Sequence, residues 1–334
     1  MKNLIDQSKQ YLITGAAGFI GYHLSKEILD MGGKVVGYDN LNDYYDPSLK
    51  QSRLDILQQY SKFTFYKANL EDKTTLETVF TKHAPKIVIH LAAQAGVRYS
   101  IENPDVYIQS NIVGFLNIME MCRHHKIEHL VYASSSSVYG ANTKLPFSTA
   151  DRVDNPISLY AATKKSNELM AYTYSHLYSI PATGLRFFTV YGPYGRPDMA
   201  AILFLDAILE DRAIKIFNHG NMRRDFTYID DIVKGILLTT TKSAALKVKT
   251  DEAPHYVYNI GNNRPENLMD FIGYLEEFAD KTAKKEMLPI QPGDVKETYA
   301  DVDDLMKDTG FYPETTLKVG LKKFVEWYME FYQA

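Results

Sequence analysis

Tyr160 and Lys164 are the two residues whose types and spacing point most directly to chemistry. They lie four residues apart in a predicted helix, so their side chains project from one face about one turn apart. A free tyrosine has a pKa of about 10, so a tyrosine base near pH 7 needs about 4 kcal/mol of help. A lysine ammonium about 4 Å away supplies roughly 4 kcal/mol at an effective dielectric constant of 20. The pair is therefore adequate to take the hydroxyl proton of a secondary alcohol during its oxidation.

The residues before this pair distinguish it from a chance match. A predicted strand, Leu130-Val-Tyr-Ala133, runs into Ser134-Ser-Ser-Ser-Val-Tyr-Gly140. This places hydroxyl groups at the carboxyl edge of a sheet, where ligands of open α/β folds bind. Tyr22 and Lys26 have the same spacing, but no hydroxyl cluster precedes them, and we interpret Tyr22 as a surface or packing residue. The context favours Tyr160, with a serine hydroxyl sharing its proton network.

Three glycines near the start of the chain, in Gly15-x-x-Gly18-x-x-Gly21, predict a dinucleotide site. They follow a short apolar strand, Tyr11-Leu-Ile-Thr14, and precede a helical pattern. Gly15 allows a sharp turn, Gly18 allows a ligand to approach the backbone, and Gly21 allows the helix to pack closely on the sheet. The N–H groups and the dipole at the helix start attract a pyrophosphate. The alternative, a tight turn without a ligand, is the weaker interpretation because the glycines lie between a strand and a helix.

Asp39 ends the second predicted strand, Lys34-Val-Val-Gly-Tyr38. It lies at about the distance from Gly21 at which such folds place a carboxylate on the adenosine ribose hydroxyls. A 2′-phosphate would meet a like charge there, and the nearest basic residue, Lys34, begins the strand instead of ending it. The sequence therefore favours NAD over NADP. The alternative interpretation of Asp39 is a turn residue at a strand end.

Strands and helices alternate after this point, which predicts an α/β fold with a Rossmann-type doubly wound parallel sheet. A third strand, Phe63 to Tyr66, ends near Asn69 and Leu70, where an amide can reach adenine. A fourth, from Lys86 to Ala93, runs into a small-residue loop that a cofactor can approach. Long helices are predicted at 104–125 and 156–178. Past Pro193 the order becomes irregular, which indicates a smaller, mostly helical C-terminal lobe.

The composition is that of an ordinary soluble globular protein, with 45% hydrophobic and 23% charged residues among 334. A net charge of −4 gives no electrostatic reason to expect nucleic acid or an anionic membrane as partner. The single cysteine, Cys122, excludes an intrachain disulfide and falls in an apolar helical pattern, so we expect a core thiol in a reducing cytoplasm. No stretch approaches the length of a membrane span, and we expect no metal site.

With these residues in place, the chain resembles the extended short-chain dehydrogenase/reductase family over almost its whole length, and within it the NAD-dependent nucleotide-sugar 4-epimerases. The general marks of the family are the glycine motif, Asp39-Asn40, His90-Leu-Ala-Ala93, Asn111, the serine segment 134–140, and Tyr160 with Lys164. More specific segments are most similar to UDP-glucuronate 4-epimerases. They are Gln94-Ala-Gly-Val-Arg-Tyr-Ser100, Ser158-Leu-Tyr-Ala-Ala-Thr-Lys-Lys165, Leu185-Arg-Phe-Phe-Thr-Val-Tyr-Gly-Pro193, Gly195-Arg-Pro-Asp-Met-Ala200, Asn218-His-Gly-Asn-Met-Arg-Arg-Asp-Phe-Thr-Tyr-Ile-Asp-Asp231 and Gln291-Pro-Gly-Asp-Val295.

The resemblance implies roles for the site residues. Tyr160 is the catalytic base, Lys164 lowers its pKa and holds the nicotinamide ribose, and Ser135 hydrogen-bonds the substrate 4-oxygen. The expected NAD contacts are Gly15, Gly18, Phe19, Ile20, Gly21, Asp39, Asn40, Asn69, Leu70, Leu91, Ala92, Ala93 and Lys164. The expected UDP-sugar contacts are Ser136, Ser137, Thr189 and Arg196 around the sugar and its carboxylate, with Phe217, Arg224 and Asp294 around the UDP. Arg196 and Arg224 have the alternative interpretation of solvated ion pairs. Gln291 stands where glucose-type epimerases usually have a phosphate-binding arginine.

The implied activity is 4-epimerisation of a UDP-hexose, from UDP-glucuronate to UDP-galacturonate, through a 4-keto intermediate. A UDP-glucuronate decarboxylase or a 4,6-dehydratase is one alternative, but such relatives place Asp or Glu where this chain has Ser136 and Ser137. A 4-epimerase of UDP-glucose or UDP-N-acetylglucosamine is a second alternative. A catalytically inactive NAD-binding sensor is a third, and such a protein is expected to lack Ser135, Tyr160 or Lys164.

The resemblance also implies the organisation of the chain. Residues 1–190 form the NAD-binding domain, to which 230–262 return, and 191–229 and 263–334 form the UDP-sugar-binding lobe. The helices at 104–125 and 156–178 match those that form the four-helix contact of dimeric relatives. We therefore expect a cytoplasmic homodimer with a role in polysaccharide biosynthesis.

Overall fold

A computed structural model gives the fold of the chain and describes residues 4–248, 252–290 and 296–332. The strands of these residues fall into one large sheet and two small ones. They are β1 (Gln10–Thr14), β2 (Lys34–Asp39), β3 (Phe63–Lys67), β4 (Ile87–His90), β5 (His129–Ser135), β6 (Ala182–Phe187), β7 (Thr189–Tyr191), β8 (Ala213–Ile216), β9 (Arg223–Tyr228), β10 (His255–Ile260), β11 (Pro265–Asn267), β12 (Lys284–Met287) and β13 (Glu297–Thr298).

Helices connect most of these strands. They are α1 (Phe19–Asp30), α2 (Pro47–Leu57), α3 (Lys73–His83), α4 (Tyr99–Glu102), α5 (Pro104–Tyr107), α6 (Gly114–His124), α7 (Leu159–Tyr178), α8 (Ala200–Leu209), α9 (Ile229–Lys242), α10 (Leu268–Ala279), α11 (Asp303–Thr309) and α12 (Leu317–Tyr332). In the part of the chain that the structure describes, no helix has the length and apolarity to cross a membrane.

The large sheet has seven parallel strands in the order β10-β6-β5-β4-β1-β2-β3, which confirms the predicted doubly wound α/β fold. Both faces of the sheet are buried. Along β1, Leu12 packs into the core cluster of one face and Ile13 into that of the other, and both are fully buried. The strand order reverses between β1 and β4, and the carboxyl ends of the strands at such a switch point leave a crevice for a ligand.

Strand β10 lies at the edge of this sheet, paired in parallel with β6, although it follows much of the second lobe in sequence. The second lobe has its own small sheets, in which β9 pairs with β7, β11 and β13, and β8 pairs with β12. The pairing of β10 with β6 supports the division into domains given above, with 230–262 returning to the first domain, which we propose for this chain.

Two predicted helices have different bounds in the structure. The segment 104–125 is not one regular α-helix, because a π-helical segment, Ile108–Val113, lies between α5 and α6. The predicted helix 156–178 begins at Leu159 instead, because the Ser158 hydroxyl accepts a hydrogen bond from the Ala161 N–H (3.1 Å) and caps the first turn. The fourth strand ends at His90, so Leu91 to Ala93 lie in the loop that follows.

A buried ion pair joins α7 to the sheet. Glu168 of α7 accepts hydrogen bonds from Arg186 of β6 at both of its oxygens (2.8 and 2.9 Å) and from the Ser134 hydroxyl of β5 (2.7 Å). Both charged side chains are only 4% exposed. Arg186 also donates to the Tyr139 hydroxyl (3.1 Å). These bonds fix the helix that carries Tyr160 relative to the strand that ends in the serine segment.

We expect Glu168→Ala to lower the free energy of unfolding by about 3–5 kcal/mol, because the substitution leaves the buried Arg186 charge without its carboxylate. The matched control is Glu128→Ala, which removes an exposed ion pair with Lys9 (2.6 Å) and is expected to cost about 1 kcal/mol or less. Urea denaturation of the two variants and the wild type measures both values. Equal losses would contradict a central role for the buried pair.

Candidate active site

A cleft of about 1360 Å³ opens at the carboxyl ends of the parallel strands. Single drug-sized ligands occupy pockets of about 300–1,000 Å³, so this cleft has room for a dinucleotide and a second molecule. Its walls include all three predicted catalytic residues, every predicted NAD contact, and the predicted sugar contacts Ser136, Ser137, Thr189 and Arg196. The cleft therefore brings together residues that lie between positions 15 and 196 of the sequence.

The glycine loop has the close backbone approaches that the sequence predicts. Gly15 has a φ of +74°, and a Cβ on it would lie 2.8 Å from the Ala92 nitrogen. A Cβ on Gly21 would lie 2.0 Å from the Gly15 oxygen. Helix α1 begins directly after Gly18, and no side chain caps it. The helix start is therefore open to the cleft, and its N–H groups fit the pyrophosphate of a dinucleotide.

The predicted adenosine end of the cleft contains a fixed carboxylate. Asp39 is 8% exposed and accepts hydrogen bonds from the N–H groups of Ala17 (3.2 Å) and Leu41 (2.9 Å). The Asn40 side chain donates to that of Asn69 (3.0 Å) and joins the ends of β2 and β3. This arrangement holds Asp39 in place for hydrogen bonds with a ribose and keeps a negative charge where a 2′-phosphate would lie.

A neutral histidine orders the loop after β4. Burial lowers the pKa of His90 to about 3, so the imidazole is uncharged. Its Nδ1 lies 2.8 Å from the Thr14 hydroxyl, which in turn accepts a hydrogen bond from the Ala92 N–H (3.2 Å). A hydroxyl has one donor and two acceptor lone pairs, so Thr14 can accept from Ala92 and also bond to a neutral His90. The contacts fix Leu91, Ala92 and Ala93 at the wall of the cleft.

Ser135, Tyr160 and Lys164 meet where β5 ends against α7. A hydrogen bond from Ser135 and the charge of Arg196 lower the pKa of Tyr160, but burial raises it by more, so the pKa lies above its ordinary value. The Lys164 ammonium donates to the Ala133 carbonyl (2.9 Å), and burial lowers its pKa to about 8. Ser135 and Arg196 therefore oppose the effect of burial on the pKa of Tyr160. The lowering of this pKa by Lys164 remains a prediction.

The π-helical segment positions the start of α7. Asn111, which lies in this segment, exchanges two hydrogen bonds with the Gln94 backbone (2.8 and 3.0 Å). Its side chain also donates to the Thr163 hydroxyl (3.1 Å), and its carbonyl accepts from Asn167 (2.6 Å). Such segments release backbone carbonyls from the regular helical ladder and often lie at functional sites. Here the released carbonyl holds the helix that carries Tyr160 and Lys164.

Two predicted UDP contacts, Phe217 and Arg224, are not in the walls of this cleft. Phe217 begins a 3-10 turn of the second lobe, and Arg224 lies on β9, where it donates to the carbonyls of Arg223 (2.9 Å) and Lys296 (3.1 Å). Asp294 lies outside the described residues, as does Gln291. The contacts of Phe217, Arg224 and Asp294 with a UDP group remain predictions.

The cleft also includes residues that the sequence analysis did not assign to the site. Tyr44 precedes α2 and Lys50 lies in it, within the segment 40–59, whose polar, tyrosine-rich start and length are typical of a connection that borders a ligand. Asp198 lies two residues after Arg196 and forms a bidentate ion pair with it. The alternative interpretation of Arg196 in the sequence analysis was an ion pair, but Asp198 was not named as the partner. No cluster of His, Cys, Asp and Glu side chains suited to a metal ion occurs in residues 4–248, 252–290 and 296–332.

The switch-point crevice, the glycine loop and the Ser-Tyr-Lys set define a Rossmann-type dinucleotide-binding protein with groups for the oxidation of an alcohol. The family model "NAD dependent epimerase/dehydratase family" matches residues 11–261. The chain belongs to this family, which confirms the predicted family and the predicted cofactor, NAD.

Individual relatives are similar along almost the whole chain. Protein CapI of Staphylococcus aureus is 57% identical over 331 residues, which cover 96% of this chain and 99% of that protein. A probable UDP-glucuronate 4-epimerase of Rhizobium meliloti is 48% identical over 334 residues, or 97% and 98% of the two chains. The crystal structure of UDP-glucuronic acid 4-epimerase from Bacillus cereus, in complex with UDP-glucuronic acid and NAD, superposes with a TM-score of 0.86 at 34% identity and covers 97% of this chain and 100% of that one.

We expect Gly21→Ala to weaken NAD binding by at least about tenfold, or 1.4 kcal/mol, because the new methyl group would force the glycine loop away from α1. Titration of the purified protein with NAD measures the dissociation constant. The matched control is Gly273→Ala in α10, where an added Cβ meets nothing within 4 Å and binding should be unchanged. A Gly21→Ala variant that folds and binds NAD as tightly as the wild type would contradict this role of the loop.

Proposed function

We propose that the protein is a UDP-glucuronate 4-epimerase, which interconverts UDP-glucuronate and UDP-galacturonate. The broader activity, NAD-dependent 4-epimerisation of UDP-sugars, is supported by family membership and by the relatives whose names specify it. One observation supports the choice of the acidic sugar. Arg196 lies in the walls of the cleft, as do Ser136, Ser137 and Thr189, and its charge acts on Tyr160.

The proposed reaction uses Tyr160 as a base. The chemistry that bound NAD supplies is the reversible uptake of a hydride. Ser135 holds the 4-oxygen of the sugar, and the Tyr160 oxygen takes the proton of the 4-hydroxyl as the hydrogen on C4 leaves as hydride. The resulting 4-keto sugar turns over about its phosphate linkage, and hydride and proton return on its other face. We assign the nicotinamide ribose to Lys164, whose ammonium is already held by the Ala133 carbonyl.

A glucuronate substrate imposes a further requirement on the site. Its 4-keto form is a β-keto acid, which loses CO₂ when the C5–C6 bond aligns with the π system of the ketone. An epimerase must therefore hold the carboxylate away from this alignment. Arg196 can do so with paired N–H donors, because a guanidinium matches the two oxygens of a carboxylate. Thr189 and the two serines supply shorter hydrogen-bonding groups around it.

The same residues weigh against the alternatives. Elimination of water needs a general acid, and the positions after Ser135 are Ser136 and Ser137 instead of Asp or Glu. A neutral sugar would offer no carboxylate to the N–H groups of Arg196 that Asp198 does not use. An inactive NAD-binding protein has no need for the three groups Ser135, Tyr160 and Lys164, which the cleft brings together.

We also propose that the protein is a homodimer that pairs through α6 and α7. Large apolar side chains are exposed on this side of the fold, including Leu169 (58%), Tyr172 (54%) and Leu177 (59%) of α7. Exposed apolar surface of this kind is typical of an interface.

Leu169→Glu should convert the dimer to a monomer in sedimentation velocity experiments. Leu203→Glu, at a similarly exposed leucine of α8 (51%), should remain dimeric. A monomeric wild-type protein would contradict the proposal.

The experiment that tests the proposed function is to incubate the purified protein with UDP-glucuronate, without added NAD, and to separate the products. The wild type should form UDP-galacturonate, because the reaction regenerates its cofactor. Tyr160→Phe should lower the rate by about 10²–10⁴-fold, the usual contribution of a general base, and retain NAD. The control is Tyr22→Phe, at the other Tyr-x-x-x-Lys match, and it should keep near-normal turnover. Near-normal turnover in Tyr160→Phe would exclude Tyr160 as the base.

A further inference from the structure

A carboxylate of the chain itself occupies one edge of the Arg196 guanidinium. Asp198 accepts hydrogen bonds from Arg196 Nε at Oδ1 (2.9 Å) and from Nη2 at Oδ2 (2.6 Å). The side chains of Arg196 and Asp198 are 27% and 33% exposed, and both residues line the cleft. Within the described residues, the hydrogen bonds of this guanidinium all go to Asp198.

This pairing leaves a second edge of the guanidinium for another ligand. A guanidinium has five N–H donors in a planar fork, and a bidentate carboxylate on Nε and Nη2 uses two of them. The two N–H groups of Nη1 and the second one of Nη2 remain. Nη1 and Nη2 together form the end edge, which has the geometry for a second bidentate carboxylate. Asp198 thus determines which edge of Arg196 a ligand meets.

Tyr44 connects Asp198 to the opposite wall of the cleft. Its hydroxyl donates to Asp198 Oδ2 (3.1 Å), although the two residues are 154 positions apart. The same hydroxyl packs against Gly96, where a Cβ would lie 2.5 Å from it, and the Tyr44 ring contacts that of Tyr99 (4.9 Å between centroids). Gly96 and Tyr99 belong to the segment Gln94 to Ser100, one of the more specific segments of the resemblance described above. The motif therefore supports the tyrosine that fixes Asp198.

We propose that Asp198 is a positioning residue that determines the specificity of the site for a carboxylate-bearing sugar. This inference rests on the proposed function. Asp198, which accepts a hydrogen bond from Tyr44, binds the Nε and Nη2 edge of Arg196 and so fixes the orientation of the guanidinium. The Nη1 and Nη2 edge then faces the carboxylate at C6 of the substrate. The ion pair has little net charge, so it recognises the carboxylate through directed hydrogen bonds instead of a general attraction. The fixed end edge keeps the C5–C6 bond out of alignment with the C4 ketone.

The proposal concerns the ratio of two products that share the 4-keto intermediate. In epimerisation, hydride returns to C4 and the carboxylate is retained. In decarboxylation, the C5–C6 bond breaks, its electron pair forms the C4–C5 enolate, CO₂ leaves, and C5 takes a proton from water. The product is then a UDP-4-ketopentose, or a UDP-pentose when the hydride returns to it. The amount of these products measures how often the site fails to hold the carboxylate out of alignment.

The test compares Asp198→Asn, Tyr44→Phe and the wild type, each as the NAD-loaded protein with UDP-glucuronate. Asp198→Asn retains the shape of the side chain but loses the charge and one acceptor, so Arg196 is free to turn. We expect the decarboxylated fraction of the products to rise about tenfold and kcat for epimerisation to fall about tenfold, as for the loss of a hydrogen bond between charged groups. KM should change less than about threefold, because Arg196 still has N–H donors for the substrate carboxylate. Tyr44→Phe should change the product ratio in the same direction, by a smaller factor.

Asp30→Asn is the matched control, because Asp30 also pairs with a cation, Lys26 (2.6 Å), and accepts from a tyrosine hydroxyl, Tyr60 (2.6 Å), but does not line the cleft. Its product ratio should equal that of the wild type. An unchanged ratio in Asp198→Asn would overturn the proposal, and if that variant does not fold, an unchanged ratio in Tyr44→Phe would do so. A wild type that does not epimerise UDP-glucuronate would instead overturn the proposed function, and the role of Asp198 with it.

Discussion

The buried carboxylate of Glu168 is the interaction on which the geometry of the site depends. It accepts hydrogen bonds from Ser134 of β5 and Arg186 of β6, and it belongs to α7, two turns after Tyr160 and one turn after Lys164. One side chain therefore fixes the helix of the proposed base relative to the strand that ends in Ser135. An incompletely paired charge at this depth would be costly, so the geometry has little freedom. The buried contacts of Glu168 in the core therefore fix the positions of the site residues on α7 and β5.

Burial also disfavours the ionised form of Tyr160 that the proposed chemistry requires. Burial raises the pKa of Tyr160, whereas its proposed role as a base requires the ionised form. The Ser135 hydroxyl and the Arg196 guanidinium act in the opposite direction, and the Lys164 ammonium, with a pKa of about 8, stays mostly charged at neutral pH. The charge of Arg196 favours the tyrosinate, and in the proposed function the same side chain also donates to the substrate carboxylate. Asp198 holds the Arg196 guanidinium in one orientation and partly neutralises its charge.

The sequence predicted what depends on local pattern. Alternating strands and helices were enough for the parallel sheet, and the glycine spacing was enough for the loop between β1 and α1. The π-helical segment at 108–113 could not be predicted, because its cause is a set of distant contacts of Asn111 with Gln94 and Asn167. An ion pair was an alternative interpretation of Arg196, but Asp198 was not named as its partner, and its bond to Tyr44 joins residues 154 positions apart. The effect of burial on Tyr160 likewise comes from packing that a spacing of four residues does not reveal.

The central claim is that the carbon-bound hydrogen at C4 of the sugar leaves as hydride and returns to the same molecule. The direct measurement uses UDP-glucuronate labelled with deuterium at C4, incubated with the protein in ordinary water, and determines the label in the product. Hydride bound to carbon does not exchange with water, so the account predicts UDP-galacturonate that retains deuterium at C4 and forms more slowly than from the unlabelled substrate. Product that has lost the label to water would show proton abstraction from carbon and would contradict the account.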